Sequence, residues 1–140
     1  MSERLTAAQM GAHMRKDEDF AEWYVEEFMK NFLPQYYFNV TDAGKRRMVT
    51  NGRHYAQGHG LTENEAQAHF VTLMWEIGAN FDVQPGFRDV LARRDIANMD
   101  KINHLFDGGV TEAQAVFAIQ HNDERFWHRD VLARAGVLHG

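Results

Sequence analysis

One stretch constrains the fold more than any other part of the chain: Gly60 to Phe81, GLTENEAQAHFVTLMWEIGANF. Its start predicts a capping box, in which the Thr62 side chain caps the amide of Glu65 while the Glu65 side chain reaches back. From there the sequence predicts a helix to Ile77. The helix is expected to stop at Gly78, because glycine is favoured just past a helix C-terminus.

The apolar side chains of this helix predict that it is buried. At about 100° per residue, they cover roughly two thirds of the circumference. The stripe consists of Ala66, Phe70, Leu73, Met74 and Ile77, extended by Val71 and Trp75. A helix that is apolar this far round is normally enclosed by neighbouring elements. The segment 62–77 is therefore predicted to be a central buried helix around which the others pack.

A narrow polar strip remains on the same helix: Glu65, His69, Thr72 and Glu76. Spacings of four, three and four residues place these side chains on one line. A carboxylate and an imidazole on one helix face can ligate a metal, so His69 with Glu65 or Glu76 is a candidate metal, haem or enzymatic site. The alternative is a solvated edge, or pairing with arginines of a neighbouring helix, because a metal site needs further ligands from other elements.

The composition predicts one domain spanning 1–140 and argues against several classes of protein. The net charge of −5 disfavours a nucleic-acid binder, which would carry a basic excess. The absence of cysteine excludes disulfides, thiolate metal sites and a cysteine nucleophile. No run approaches the ~18 apolar residues of a membrane span, and 1–15 show no apolar segment of a secretory signal. We therefore expect a cytoplasmic location and no membrane association.

Helix signals recur along the chain, whereas strand signals are almost absent. Thr6, Thr41 and Thr111 each predict a helix start, and the acidic run from Asp17 to Asp19 predicts another. The expected fold class is an all-α bundle of about six to seven helices. The predicted helices, besides a first one from Thr6, are 17–32, 41–57, 62–77, 87–93, 95–106, 111–120 and 124–135.

Two details of the N-terminal half carry their own predictions. Pro34 and the aromatic run Tyr36, Tyr37 and Phe38 predict a connection packed against the core. By helical projection, Glu27 falls within the aromatic face of the helix 17–32. A carboxyl group in an apolar pocket would have a raised pKa and could serve as a general acid or base. The alternative is that Glu27 pairs with an arginine or a tyrosine hydroxyl.

Two short motifs occur twice in the same order. GLTE at Gly60 resembles GVTE at Gly109, and RDVLAR recurs at 88–93 and 129–134. A duplicated pair of helices is one explanation. The other is that both motifs are good helix-forming sequence that arose independently.

Basic side chains are concentrated in the helix predicted at 41–57: Lys45, Arg46, Arg47, Arg53 and His54. Arg46 and Arg53 are seven residues apart, as are Arg47 and His54, so they stack on adjacent lines of the helix. This arrangement could receive a carboxylate, a phosphate or an acidic partner surface. The alternative is internal pairing with acidic residues of the helix 17–32.

Motifs of nucleophilic catalysis and nucleotide binding are absent. The chain has one serine, Ser2, and neither a Gly-x-Ser-x-Gly motif nor a phosphate-binding glycine loop. This absence favours a non-enzymatic role and predicts no cofactor.

Three segments carry a resemblance to known proteins: FAEWY from Phe20, MVTNGR from Met48, and AQAHFVTLMWEIG from Ala66. They resemble small uncharacterised all-helical proteobacterial proteins associated with type VI secretion effector loci. The resemblance covers roughly 20–87. It implies a chaperone, adaptor or immunity-type role and supplies no catalytic residues.

The leading hypothesis is a protein-interaction module that binds another protein, such as a secreted effector, through arginine and aromatic side chains. The expected surface comprises Arg46, Arg47 and Arg53 with exposed members of Tyr36, Tyr37 and Trp127, because arginine, tyrosine and tryptophan dominate interface energetics. The sequence leaves homo-oligomer formation open. The alternative hypothesis is the metal- or haem-binding protein or small enzyme based on His69.

Overall fold

A computed structural model describes residues 16–128, and this part of the chain forms seven helices and two short 3₁₀ turns. Helix α1 spans 17–32 and combines α-helical Asp17–Trp23, π-helical Tyr24–Met29 and α-helical Lys30–Phe32. The others are α2 (Pro34–Tyr37), α3 (Asp42–Gly58), α4 (Asn64–Glu76), α5 (Phe87–Leu91), α6 (Met99–His104) and α7 (Glu112–Gln120), with 3₁₀ turns at Phe81–Val83 and Glu124–His128. No strand occurs in this range, which confirms the predicted all-α bundle.

Helices α3 and α4 form the centre of the bundle. Helix α1 and the 3₁₀ turn Glu124–His128 pack on α3, while α6 packs on α4. Eight residues of α4 are buried: Ala66, Gln67, Ala68, Phe70, Val71, Leu73, Met74 and Trp75. This burial agrees with the prediction made from the wide apolar stripe of the helix. The buried apolar side chains of the described residues belong to one hydrophobic core.

The π-helical turn of α1 changes which side chains face the core. Tyr24, Val25 and Met29 are buried, whereas Glu27 is exposed. A π turn holds more residues than an α turn, so a projection at about 100° per residue over-rotates every later position. The prediction that Glu27 lies within an apolar face was therefore wrong, and its proposed acid or base role loses its basis.

The start of α4 also differs from the prediction. Helix α4 begins at Asn64, and the Oδ1 atom of Asn98 accepts hydrogen bonds from the amides of Thr62 (2.8 Å) and Glu63 (3.0 Å). The predicted capping box from Thr62 to Glu65 does not form, because a side chain from elsewhere in the chain occupies these amides. Asn98 itself has a φ of 49°, a conformation that asparagine tolerates, and helix α6 starts only after it, at Met99.

Two other predicted helix starts are confirmed. Thr41 caps α3, and its Oγ1 atom accepts from the amide of Gly44 at 3.1 Å. Thr111 and Gln114 form a complete capping box at α7. Both caps use residues within one turn of the helix they start, which is why local sequence is sufficient to predict them.

Some predictions fall on 1–15 or 129–140 and so lie outside the described residues. These are the helix starting at Thr6, the later part of the helix 124–135 and the second RDVLAR motif. The duplication consequently stays a prediction. Its two described helix starts are not equivalent, since Thr111 caps its helix whereas Thr62 does not. Across 16–128, no helix is long and apolar enough to cross a membrane.

A glycine sets the close approach of α3 and α4. A Cβ atom at Gly52 would lie 3.0 Å from both the Sδ of Met74 and the Cγ2 of Val71. We expect Gly52→Val to lower the free energy of unfolding by about 1–3 kcal/mol, because the added branches overpack this contact. Urea denaturation followed by circular dichroism measures the change.

The same helix supplies a matched control. A Cβ atom at Gly58, the last residue of α3, would meet no described atom within 4 Å. Gly58→Ala should leave stability unchanged or raise it by up to about 1 kcal/mol, since alanine favours helix more than glycine does. If both variants unfold at the same urea concentration as the wild-type protein, close packing at Gly52 is not required.

Candidate functional site

The structure divides the predicted partner-binding residues between core and surface. Arg53 belongs to the core, with 4% of its area exposed. Its Nε donates to Gln67 Oε1 at 2.8 Å, its Nη2 to Asn64 Oδ1 at 2.8 Å, and its Nη1 to Asp17 Oδ1 at 3.2 Å. Its guanidinium also lies 4.6 Å from the ring centroid of Phe20. The expected surface position of Arg53 was wrong, because its donors link α1, α3 and α4 internally. A role of Arg53 in partner binding stays a prediction.

Trp127 is likewise a core residue, with 2% of its area exposed. Its ring lies 4.2 Å from that of Trp75, and its carbonyl accepts from Asn51 Nδ2 at 2.9 Å. The hydroxyl of Tyr55 donates to the adjacent carbonyl of Phe126 at 2.8 Å. These bonds fix the turn Glu124–His128 on α3. Trp127 therefore cannot contribute to an exposed binding surface.

Tyr36 extends the same aromatic contact toward solvent. Its ring centroid is 5.5 Å from that of Trp75, and the residue is half-buried. It packs on the core with one face, as the aromatic run after Pro34 predicts. Its role in binding stays a prediction.

Tyr37 and Arg46 meet at the surface through one carboxylate. The two oxygens of Glu26 accept separately from the Tyr37 hydroxyl and from Arg46 Nη2, each at 3.4 Å. The Nζ of Lys45 lies 3.6 Å from the ring centroid of Tyr37 and donates a hydrogen bond to the Tyr37 carbonyl at 2.7 Å. Partial desolvation, and then the charge of Glu26, raise the pKa of Tyr37, so its hydroxyl remains a donor at neutral pH. The long contacts to Glu26 leave Arg46 only partly satisfied.

Phe38 and Arg47 complete this surface. The ring of Phe38 lies 5.0 Å from that of Tyr37, and 73% of the residue is exposed, so the prediction that the whole aromatic run packs inward was wrong for this residue. Arg47 is exposed, and its side chain makes no hydrogen bond or ion pair with another residue of 16–128. We call Tyr37, Phe38, Arg46 and Arg47 the Arg–aromatic face.

The arginines of this face also border an open cleft of about 520 Å³ between α1 and α3. Asp17 and Glu18 line its other side. Asp17 is already engaged by Arg53 and by the His54 Nε2 at 2.6 Å. In the cleft, the donors of Arg47 and some of those of Arg46 are therefore available to a ligand. The Arg–aromatic face as a whole has the chemistry to bind a carboxylate next to an apolar side chain.

Within 16–128, the polar strip on α4 is not joined by further metal ligands. Thr72 donates to the Ala68 carbonyl at 2.9 Å and lies 2.8 Å from the hydroxyl of Tyr24, whose pKa is raised by burial. Glu76 is exposed, while Glu65 and His69 are half-buried. Among residues 16–128, no three histidine or acidic side chains lie together in a way that could hold a metal ion. The neighbouring helix brings a phenol to the strip rather than a carboxylate. Haem binding by His69 stays a prediction that an absorption spectrum would test.

Helix α7 presents a second exposed surface, which is apolar. Of its nine residues only Ala118 is buried, and Val116, Phe117 and Ile119 are exposed. The ring of Phe117 stacks on that of His121, with 3.9 Å between centroids. The sequence did not predict this exposure, because an apolar run such as AVFAI is typical of a buried helix.

Comparisons of the chain with models of known protein families, with curated proteins and with solved structures gave no match.

Proposed function

We propose that this chain is a non-enzymatic protein-interaction module whose Arg–aromatic face binds an acidic segment of another protein. The observation that carries the proposal is that the largely exposed Phe38 packs on Tyr37, whose hydroxyl shares the Glu26 carboxylate with Arg46. Arg47 lines the same cleft as Arg46, and its side chain has no partner within 16–128. Aromatic and arginine side chains supply most of the binding energy in interfaces.

The chemistry of the face defines the partner. The side chain of Arg47 forms no ion pair within the described part of the chain. Arg46 shares the Glu26 carboxylate with the Tyr37 hydroxyl, and both contacts to Glu26 are long, at 3.4 Å. Both guanidinium groups suit carboxylates of a partner, since arginine pairs with carboxylates in a bidentate geometry. Phe38 would pack against an apolar side chain of the same segment. An acidic segment with at least one apolar residue fits these requirements.

The resemblance to proteins associated with type VI secretion effector loci suggests where such a partner is found. A secreted effector is the first candidate, with this chain as its chaperone, adaptor or immunity-type partner. The absence of a nucleophile motif is consistent with a binding role.

The test is affinity capture from the native host, with identification of the bound protein and then a binding titration with that protein purified. Arg46→Glu with Arg47→Glu should weaken binding at least about tenfold, because both charges would then repel an acidic segment. Phe38→Ser should weaken it through loss of the apolar contact. Circular dichroism should remain that of the wild-type protein, since all three side chains lie at the surface.

A matched control reverses two exposed arginines outside the face. Arg88→Glu with Arg94→Glu makes the same change in net charge and should leave binding of the partner intact. A separate pair, Phe117→Ser with Ile119→Ser, removes the apolar side chains of α7. If binding is lost in that pair and retained in the Arg46 and Arg47 variant, the Arg–aromatic face is not the binding surface.

A further inference from the structure

Lys101 is a buried lysine whose ammonium group has no acidic partner within 16–128. Only 7% of the residue is exposed. Its Nζ donates to the carbonyl of His59 at 3.0 Å and to that of Leu91 at 2.8 Å. These carbonyls lie at the C-terminal ends of α3 and α5, where the helix dipoles favour a positive charge. An ammonium has three N–H donors, so one remains, and the charge is offset only by dipoles.

Lys101 lines a cleft of about 500 Å³ together with 58–60, 91–94 and Ile96. His59, Arg93 and Arg94 are also part of its wall, and no acidic residue is. Arg94 is exposed and forms no ion pair with any residue the structure describes. In a chain of net charge −5, a recess lined by basic residues without acidic ones is a local reversal of charge.

Two of the basic residues already contact a carboxylate that is not part of the cleft wall. Arg93 pairs with both carboxylate oxygens of Asp95, and the His59 Nε2 contacts Asp82 Oδ2 at 2.7 Å. The hydrogen bonds from Arg93 lower the pKa of Asp95 to about 2, so that pair is ionised at neutral pH. The uncompensated charges are those of Lys101 and Arg94, which together match a dianion.

We propose that this cleft binds a phosphate group, either free phosphate or the monoester of a small molecule. Lys101 would supply its remaining N–H donor and a desolvated positive charge, and Arg94 would close over the anion from the surface. Space for the ligand comes from Gly58, whose Cβ direction has no atom within 4 Å, and from Gly60, where a Cβ atom would lie 3.8 Å from Lys101 Nζ. The site is separate from the Arg–aromatic face and does not depend on it.

The test is a titration of the whole chain with inorganic phosphate, followed by calorimetry and by ³¹P chemical shift at constant ionic strength. We expect saturable binding at one site, weakened at least about tenfold in Arg94→Ala and abolished in Arg94→Glu, because loss or reversal of this charge acts on the anion directly. Arg88→Ala is the matched control, since Arg88 is an exposed arginine on α5 that does not line the cleft; it should bind as the wild-type protein does.

Two further arms separate the sources of the anion and the role of Lys101. Glycerol 3-phosphate that binds more tightly than inorganic phosphate identifies a monoester site, and the reverse identifies a site for free phosphate. Lys101→Gln, provided that its circular dichroism is that of the wild-type protein, should lose binding. Absence of saturable binding at millimolar phosphate, or equal affinity in Arg94→Ala and Arg88→Ala, would mean that Lys101 only caps the two helix ends and would overturn the proposal.

Discussion

Replacing Arg53 with methionine is expected to lower the free energy of unfolding by about 3 kcal/mol, because the acceptors of Gln67 and Asn64 lose a charged donor. Methionine fills much of the same volume but donates no hydrogen bonds. The buried Oε1 of Gln67 would lose its donor, and Asp17 would lose a cation that it contacts at 3.2 Å. Burial lowers the pKa of Arg53, but a guanidinium remains charged in proteins, so the network is ionic in the folded state. Urea denaturation followed by circular dichroism measures the loss.

Arg47→Met provides the control for this variant. It makes the same chemical change in the same helix, at an exposed residue that has no ion pair within 16–128. Its effect should stay within about 0.5 kcal/mol, as for most surface substitutions. If Arg53→Met and Arg47→Met unfold at the same urea concentration, the contacts of Arg53 do not stabilise the fold.

Trp127→Ala should lower the free energy of unfolding by about 3–5 kcal/mol, the usual cost of truncating a large buried aromatic residue. The change removes the ring that packs on Trp75 at 4.2 Å and leaves a cavity between α3, α4 and the turn Glu124–His128. The same denaturation experiment applies. Trp127→Phe should lower the free energy of unfolding by less, because the phenylalanine ring fills part of the cavity.

An exposed aromatic residue serves as the comparison for Trp127. Phe106 has 64% of its area exposed, so Phe106→Ala is expected to change stability by no more than about 0.5 kcal/mol. Equal destabilisation by Trp127→Ala and Phe106→Ala would contradict the placement of Trp127 in the core.

The accuracy of the sequence-based predictions depended on how far apart the interacting residues are. The caps at Thr41 and Thr111 act within one turn, and both were predicted correctly. Thr62 carries the same local signal, but its amide bonds to Asn98, which is 36 residues away. Periodicity alone also could not indicate the π turn of α1, in which Glu27 is exposed.

The same limit applies to the candidate site. Arg46, Arg47 and Arg53 belong to one basic cluster, and nothing local distinguishes the buried arginine, Arg53, from the other two. Burial of Arg53 requires Asp17, Asn64 and Gln67, which separate segments of helix bring together only in the folded chain. The sequence therefore indicated a basic surface, which Arg46 and Arg47 supply, but could not assign each member of the cluster to core or surface.

The close contact at Gly52 has a consequence for molecular recognition. Because no side chain separates α3 from α4 there, the backbone of α3 is held directly against Val71 and Met74. Arg46 and Arg47 extend from this fixed helix, so the proposed partner would meet their backbone positions already in place. Its binding would then lose conformational entropy mainly in the two side chains and in the partner's own segment, which favours affinity through preorganisation.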